Sequence, residues 1–365
     1  MKLKWDRIAM GSEVFFTQVN QNEKTESINR KVLALFSAAD LGSFINKNDL
    51  IGIKMHFGEK GNRTHIPSHC VVPIVEEIKK RQGVAFLTDT CVLYRSQRDN
   101  SVNHLLLAHR HGFSMDHLGV PVIIADGLIG NAESKVSIPG KIFKEVAVAR
   151  AAVEANGLIV LSHVTGHIAC GLGGSIKNLG MGFSSRKGKL QQHSVTKPSI
   201  SSKKCTGCGL CIQWCPEDAI SMKAEKAVID STLCIGCGEC LTVCRFGAVS
   251  HGWGRSNDEL QKRIAEHALG VTVAQPGRIG YMNFLLSITK DCDCWNEPQK
   301  PIISDIGILA SKDPVAIDAA SLDLIRDKTH RELTEMSYPD VDSWVQIRYG
   351  AEIGLGSRVY ELIRL

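Results

Sequence analysis

Eight of the thirteen cysteines lie close together in the sequence, in two runs that share one spacing. In each run three cysteines follow one another at three-residue intervals and a fourth comes four positions later; the runs are Cys205, Cys208, Cys211 and Cys215, then Cys234, Cys237, Cys240 and Cys244. This spacing suits thiolate ligands of two 4Fe–4S clusters, in which the fourth cysteine of each run binds the other cluster. It predicts cluster 1 on Cys205, Cys208, Cys211 and Cys244, and cluster 2 on Cys234, Cys237, Cys240 and Cys215.

The two runs are halves of an internal repeat. Every cysteine recurs 29 positions later, and Gly207 and Gly209 recur as Gly236 and Gly238. Glycine suits a backbone that must approach inorganic sulfide closely. Paired Cys-x2-Cys units also occur in structural zinc sites, but zinc needs only four sulfurs per site and has no use for the third and fourth cysteines of each run. The pattern therefore favours a bacterial-type ferredoxin unit with two clusters.

The composition argues against a nucleic-acid-binding, membrane-spanning or secreted protein. The chain has 365 residues, 44% of them hydrophobic, and a net charge of +5 that does not argue for nucleic-acid binding. The basic stretch 186–189 is short and predicts a solvated loop. No apolar run approaches the ~18 residues of a membrane span, and residues 1–9 lack the apolar core of a secretory signal, so we expect a cytoplasmic protein without membrane contact. Cysteines in that compartment serve as thiolates and metal ligands, which suits a reducing, anaerobic cell.

The elements that position these residues follow an alternating pattern. Strands are predicted at residues 14–17, 50–57, 84–88, 121–125, 158–162, 279–288 and 303–309, and helices at 27–39, 67–81, 103–111, 146–155, 258–269 and 314–325. Such alternation predicts an α/β fold, a mostly parallel sheet with flanking helices. Neither flank of the cysteine-rich window makes a complete sheet, so we expect one α/β domain in two parts, 1–197 and 253–365, interrupted by a small α+β dicluster ferredoxin domain at 198–252. Linkers are expected at 197–204 and near 251–254.

A second functional site is predicted where the parallel strands end, because ligands bind in open α/β sheets outside the carboxyl ends of the strands. His56 follows the second predicted strand, Asp89 follows the third, and His163 and His167 follow the fifth. Each histidine alone is more often a hydrogen-bonded structural residue. Their convergence on one edge favours a cleft in which His56 or Asp89 transfers protons and His163 or His167 binds a metal or a substrate.

The segment after the fifth predicted strand is rich in glycine. It contains Gly171, Gly173 and Gly174, followed by Lys177 and Asn178, and it fits neither the P-loop nor the dinucleotide-binding pattern. Glycines that expose backbone amides ahead of a short helix, with a lysine behind them, suit a phosphate or carboxylate. The alternative interpretation is a flexible loop or lid.

Cys292 and Cys294 follow another predicted strand, within Asp-Cys-Asp-Cys-Trp. In an extended chain the two side chains point to opposite faces, so both can bind one metal only if the chain turns there. With a turn, they form a soft metal site together with His163 or His167. Without a metal, they are a redox dithiol or packed thiols.

These residues in combination resemble a family of uncharacterised iron–sulfur centre proteins, in which domain of unknown function 362 is interrupted by a two-cluster ferredoxin module. The similar segments are 54–59, from 162–163 through 166–167 to 173–178, and from 305–308 to 313–318. The similarity spans nearly the whole chain. It implies a redox-linked protein of bacteria or archaea and supplies no substrate.

Two functions compete on this basis, beside a redox sensor, which the lack of a nucleic-acid-binding motif disfavours. The first is a reductase in which the clusters accept electrons from a soluble carrier such as ferredoxin and feed a small-molecule site in the α/β domain. The alternative is a non-catalytic electron-transfer or cofactor-maturation protein that docks a client enzyme. The sequence has no flavin fingerprint, but it leaves room for a flavin or an additional metal beside the two 4Fe–4S clusters.

Overall fold

A mixed eight-stranded sheet organises the molecule, and residues from both sides of the cysteine-rich segment build it. The computed structural model describes residues 11–193, 197–234, 236, 238–250 and 257–365. Three predictions lie outside these residues: the absence of a secretory signal at 1–9, the ligand Cys237, and the linker near 251–254. None of the described helices is long and apolar enough to cross a membrane.

The described strands are β1 (Ser12–Gln18), β2 (Leu50–Lys54), β3 (Val84–Asp89), β4 (Val122–Ile124), β5 (Glu133–Ser137), β6 (Glu145–Ala149), β7 (Gly157–His163), β8 (Ser199–Ile200), β9 (Ile220–Lys223), β10 (Lys226–Ile229), β11 (Val249–Ser250), β12 (Ile279–Leu285), β13 (Gly307–Ser311) and β14 (Tyr360–Arg364). The described helices are α1 (Thr25–Ala38), α2 (Val72–Lys80), α3 (Ser101–Arg110), α4 (Met115–Leu118), α5 (Arg150–Glu154), α6 (Ser175–Gly180), α7 (Arg186–His193), α8 (Leu210–Gln213), α9 (Glu239–Val243), α10 (Asn257–Ala274), α11 (Pro314–Thr329), α12 (Leu333–Met336) and α13 (Val345–Glu352), with a 3-10 turn at Ser68–Val71 before α2.

The order of strands in the sheet is β14-β1-β13-β12-β7-β2-β3-β4. All neighbours are parallel except β13, which runs antiparallel to both β1 and β12. The prediction of a mostly parallel sheet with flanking helices is therefore confirmed. Because β12 and β13 pair with β7 and β1, the chain returns to the same sheet after the cysteine-rich segment.

The structure contains two clusters of buried apolar residues, and both include residues of the sheet. One cluster also includes residues of α6, α10 and α11, and the other includes residues of α1 and α2. The central strands are buried over nearly their whole length: all seven residues of β12 and the first six of β7 are inaccessible. Strands covered on both faces are apolar throughout instead of alternating. Helix α11 begins as predicted, with Asp313 accepting the backbone N–H groups of Val315 and Ala316 at 2.8 and 3.0 Å.

A small unit, here called the cysteine-rich module, occupies the described residues of 198–250. It consists of the antiparallel pairs β8–β11 and β9–β10 with the short helices α8 and α9. Its core includes Leu93 and Leu190 from outside the module, so the module packs against the larger sheet domain. The repeat is visible in the backbone, since Gly207, Gly209, Gly236 and Gly238 all have positive φ angles between 73° and 81°.

Two local predictions are wrong. Residues 146–155 were expected to form one helix, but they form β6 and the five-residue α5. Val146 and Val148 alternate on one buried face and pair with β5, which the sequence analysis missed along with β14. The basic stretch 186–189 is the first turn of helix α7, and Arg186 and Lys189 are buried there instead of solvated.

Candidate functional site

A cavity of about 520 Å³ lies at the carboxyl ends of β2, β3 and β7. We call it the sheet-edge cavity. Nearly all of the predicted site residues outside the module line it: His56, Asp89, His163, His167, Gly173, Gly174, Lys177, Asn178, Cys292 and Cys294. Only Gly171 of that set does not contribute to the lining. Parallel strands bring their ends to one edge, which is why residues far apart in sequence meet here.

Four charged residues form a buried chain along one wall. Lys54 Nζ lies 3.0 Å from Asp89 Oδ1, and Arg98 lies 3.9 Å from Asp89 and 3.1 Å from Glu59. Burial alone would raise the pKa of Asp89, but Lys54, His104 and Arg98 outweigh it and lower that pKa. Asp89 is thus held ionised. Its predicted role in proton transfer stays a prediction.

Asn178 orients this chain of charges. Its side-chain oxygen accepts from Lys54 Nζ at 2.7 Å, and its amide group donates to Leu161 O and Ser162 Oγ. The oxygen and the nitrogen of the Asn178 side chain are therefore both hydrogen-bonded within the protein. Asn178 positions Lys54 at the cavity wall.

His56 and His167 are neutral rings that carry their hydrogen on Nε2. His56 Nδ1 accepts the Gly58 N–H at 2.9 Å, and His167 Nδ1 accepts the N–H groups of Ala169 and Cys170 at 3.1 and 3.0 Å. Burial, reinforced by nearby cations including Lys177, lowers both histidine pKa values well below the usual range. A neutral ring that accepts at Nδ1 bears its hydrogen on Nε2. Within the described residues, Nε2 of His56 is buried and has no hydrogen-bond partner.

His163 has both ring nitrogens engaged. Nδ1 lies 2.9 Å from Asp293 Oδ1 and Nε2 lies 2.8 Å from Leu286 O. Burial lowers the pKa of His163, but Asp293 and the backbone acceptors outweigh it and raise that pKa. A ring between two acceptors is a double donor, which makes His163 an anchor for the 292–294 segment and leaves no lone pair for a metal.

The glycine loop packs closely against a carboxylate of the protein. The backbone N–H groups of Ser175 and Ile176, at the start of α6, donate to the Asp318 carboxylate at 2.7 and 2.9 Å. A Cβ at Gly174 would lie 2.5 Å from Asp318 Oδ1, and one at Gly171 would lie 2.8 Å from Ser343 and Thr334 side chains. These glycines permit close packing, and a carboxylate of the protein already occupies the predicted anion position. Lys177, by contrast, does face the cavity.

Cys292 and Cys294 meet in the turn that the sequence analysis required. The Trp295 N–H donates to Cys292 O at 3.0 Å, and the two sulfurs are joined as a disulfide across a Cα–Cα distance of 5.3 Å. One ligand atom from each of His167, Cys292 and Cys294 lies within 4.8 Å of the others. Of the two histidines considered, His167 lies beside the sulfurs. Lys177 Nζ contacts Cys292 Sγ at 3.9 Å.

The seven described cysteines of the module are outside any disulfide. Four of their sulfurs accept backbone N–H groups at 3.3–3.4 Å, namely Cys205 from Ala227, Cys215 from Ala219, Cys234 from Gly236 and Cys244 from Ala248. The N–H groups of Ala227 and Gly207 lower the pKa of Cys205. Such donors stabilise thiolates and sulfur clusters.

Cys211 lies near three other predicted ligands of cluster 1. Burial and the charges of Cys205, Cys208 and Cys244 raise its pKa. A separate small cavity is lined by Cys215, Cys234 and Cys240, three of the four predicted ligands of cluster 2, while the fourth, Cys237, lies outside the described residues. The assignment of these cysteines to two clusters stays a prediction.

Comparison with known proteins places the chain in a family. The model of the family described as domain of unknown function (DUF362) matches residues 51–323. The chain belongs to the DUF362 family. The matched region of DUF362 covers all of the cavity residues, from Lys54 to Cys294, including the module between them. No curated protein matches the chain.

Two solved structures are distantly similar to this DUF362 protein. The lactate racemase apoprotein from Thermoanaerobacterium thermosaccharolyticum has 11% identity and a TM-score of 0.42 over 87% of this chain and 60% of that one. A structural-genomics protein from Thermotoga maritima has 10% identity and a TM-score of 0.40 over 79% of this chain and 56% of that one. The chain thus spans less than two thirds of the length of either protein.

Several residues that line the sheet-edge cavity were not predicted as site residues from the sequence. Lys54 is the last residue of β2 and Arg98 lies in a loop, while Lys189 comes from α7. The signal for Lys54 was available, because a lysine ending an apolar parallel strand reaches the ligand-binding edge. Arg98 and Lys189 carry no such local signal, since their burial depends on Glu59 and Thr90, which are distant in sequence.

Proposed function

We propose that this DUF362 protein is a ferredoxin-linked reductase: two 4Fe–4S clusters in the cysteine-rich module serve a reductive site in the sheet-edge cavity. The observation that carries this proposal is a shared wall. Leu93 and Tyr94 line the sheet-edge cavity and also a second cavity, at the face of the module, that borders Cys244. Cys244, a predicted ligand of cluster 1, thus borders a cavity that shares Leu93 and Tyr94 with the sheet-edge cavity.

Contacts between the module and the sheet domain hold this wall in place. Arg186 donates to Thr242 O at 3.0 Å, and Arg95 donates to Arg245 O at 2.5 Å. Leu93 belongs to the same apolar core as Cys205 and Cys211. Each 4Fe–4S cluster, when bound, exchanges single electrons. The chain's own contribution is to fix the thiolates beside the cavity.

The cavity lining favours an anionic substrate. Its charged residues are Lys54, Arg98, Lys177 and Lys189 against Asp89 and Asp293. Lys54 and Arg98 are paired with carboxylates, but among the described residues Lys177 Nζ contacts only a sulfur. Buried donors without acceptors are costly, so Lys177 and His56 Nε2 suit a small molecule with carboxylate or phosphate oxygens. The neutral His56 ring can also donate a hydrogen bond from Nε2–H to such a molecule.

The module also offers a surface for a soluble electron donor. Trp214 and Leu233 are 44% and 53% exposed, and they directly precede Cys215 and Cys234, two predicted ligands of cluster 2. Exposed apolar side chains beside a redox centre suit transient docking of a carrier protein. In this proposal electrons enter at cluster 2 and leave from cluster 1.

Stopped-flow spectroscopy on the anaerobic, full-length protein tests the proposal. Reduced ferredoxin should bleach the visible absorbance of wild type and of Lys177→Met equally, because Lys177 is outside the module. A panel of small carboxylates and phosphates with reducible carbonyl groups should then include one that reoxidises wild type at least about tenfold faster than the variant, the size expected for one lost charge-assisted contact. Absence of bleaching, or identical reoxidation of both proteins by every compound, would overturn it.

A further inference from the structure

The sulfur pair of Cys292 and Cys294 lies at the wall of the sheet-edge cavity. Cys292 is buried and Cys294 is partly exposed, so the two sulfurs differ in their access to solvent. Their segment is fixed from both sides: His163 holds the Asp293 carboxylate, and the Glu59 N–H donates to Asp293 O at 2.9 Å. Because these contacts hold the segment, the disulfide can be reduced to two thiols with little movement of the backbone.

The groups around the sulfurs are hydrogen-bond donors. Lys177 Nζ is 3.9 Å from Cys292 Sγ, and His167 lies beside both sulfurs. An ammonium group next to a sulfur stabilises the thiolate over the thiol. A cysteine in such surroundings is typical of catalytic or redox-active thiols, whereas a structural cysteine lies in apolar surroundings.

A metal bound by His167, Cys292 and Cys294 is the rival interpretation. His167 Nδ1 is occupied by two backbone N–H groups, so the neutral ring carries its hydrogen on Nε2. A metal ligand needs a nitrogen lone pair, and neither ring nitrogen offers a free one. Lys177 Nζ also lies 3.9 Å from Cys292 Sγ, and its positive charge disfavours a cation bound to that sulfur. Both observations favour a thiol pair without a metal.

We propose that Cys292 and Cys294 form a redox-active disulfide that accepts a pair of electrons in the sheet-edge cavity. Two electrons, supplied by a low-potential one-electron carrier of the ferredoxin class, break the S–S bond. The Cys294 sulfur takes one proton from solvent and becomes a thiol, while the Cys292 sulfur remains a thiolate beside the Lys177 ammonium. This inference names the electron acceptor of the proposed reductase, and it rests on that function only for the source of the electrons.

Thiol labelling with mass spectrometry tests the inference directly. The full-length protein is equilibrated anaerobically in dithiothreitol redox buffers, quenched, alkylated with iodoacetamide and digested with trypsin. Trypsin releases the peptide 291–312, because Lys300 precedes Pro301 and resists cleavage. This peptide contains Cys292 and Cys294 and no other cysteine. We expect zero labels in oxidising buffer and two labels in reducing buffer, with both labels appearing in one two-electron transition.

Lys177→Met adds a second readout, with Lys290→Met as its matched control. Lys290 lies two residues from Cys292 but is exposed, with its Nζ over the Tyr338 ring at 4.8 Å. Loss of the Lys177 charge should lower the equilibrium constant for reduction about tenfold, equivalent to roughly 30 mV for a two-electron couple. The control variant should titrate as wild type does.

Two results would overturn the inference. The first is two labels in every buffer together with a stoichiometric metal that is lost in Cys292→Ser. The second is a disulfide that stays oxidised in the native protein even in the most reducing buffer. Iron and sulfide content of the same samples keeps the two proposals apart. A normal thiol transition without clusters would refute the electron-transfer function alone. Intact clusters with inert sulfurs would refute the dithiol alone.

Discussion

Lys54 and Asp89 form an ion pair of 3.0 Å at the ends of two adjacent parallel strands, with 1% and 4% of their side chains exposed. Residues Lys54 and Thr88 are partners in the β2–β3 register, so the pairing of the strands itself sets this contact. A charge pair this deep is stable only while both partners are present. Removal of either partner would leave an unpaired charge buried in the cavity wall.

Asp89→Asn should destabilise the protein by about 3–5 kcal/mol, because it leaves the buried charge of Lys54 without its carboxylate. Urea denaturation measures the change in the free energy of unfolding. The matched control is Glu77→Gln, which breaks the pair of Glu77 with Lys80, a lysine whose side chain is 62% exposed, and should cost under about 1 kcal/mol. Equal costs for the two variants would contradict the buried ion-pair account.

The His163–Asp293 pair should give stability a pH dependence of defined sign. The folded pKa of His163 is raised above its unfolded value of about 6.5. The pair's contribution is therefore complete below pH ~6.5 and is lost as the pH rises through the folded pKa. Unfolding free energies of wild type and His163→Gln, measured from pH 6 upward in roughly unit steps, should differ most at the acid end and converge toward alkaline pH. A parallel offset for His163→Gln at every pH would count against a charged imidazole.

Gly174→Ala should be disruptive for a purely steric reason. The added Cβ would lie 2.5 Å from Asp318 Oδ1, the carboxylate that holds the Ser175 and Ile176 N–H groups. We expect a loss of about 1–3 kcal/mol, the cost of overpacking a filled core, measured by urea denaturation. Gly350→Ala in α13 is the control, since its nearest neighbour is the Val315 side chain at 3.1 Å, and it should change stability by under about 1 kcal/mol. Similar results at both glycines would remove the packing explanation for the loop.

Local sequence patterns predicted the strands that matter most for the site. The apolar runs of β2, β3 and β7 and the Asp313 cap are properties of short segments, and parallel pairing then brings His56, Asp89 and His163 to one edge. The patterns failed where a distant partner decides the structure. Asp318 reaches the α6 amides across 143 positions, and β6 became a strand because β5 lies beside it. No spacing rule within one segment contains that information.

The dependence on distant partners also explains why the burial of Arg186 and Lys189 was not predicted. Arg186 and Lys189 looked like a solvated stretch because their neighbours in sequence are polar. In the fold they donate to Thr242 O and to Thr90 Oγ1, which belong to the module and to the loop after β3. Burial of a charge follows from partners that the fold supplies, so the sequence alone gave the wrong environment for both.

The most direct test of the account is the iron and acid-labile sulfide content of anaerobically purified protein, with paramagnetic resonance of the reduced sample. Wild type and a Cys292→Ser/Cys294→Ser variant are compared with Cys244→Ser, which lacks a predicted ligand of cluster 1. Two clusters in the module predict about eight irons and eight sulfides in the first two proteins, and about four of each, with one cluster signal, in Cys244→Ser. Zinc in place of iron, or iron that disappears when Cys292 and Cys294 are replaced, would contradict the account.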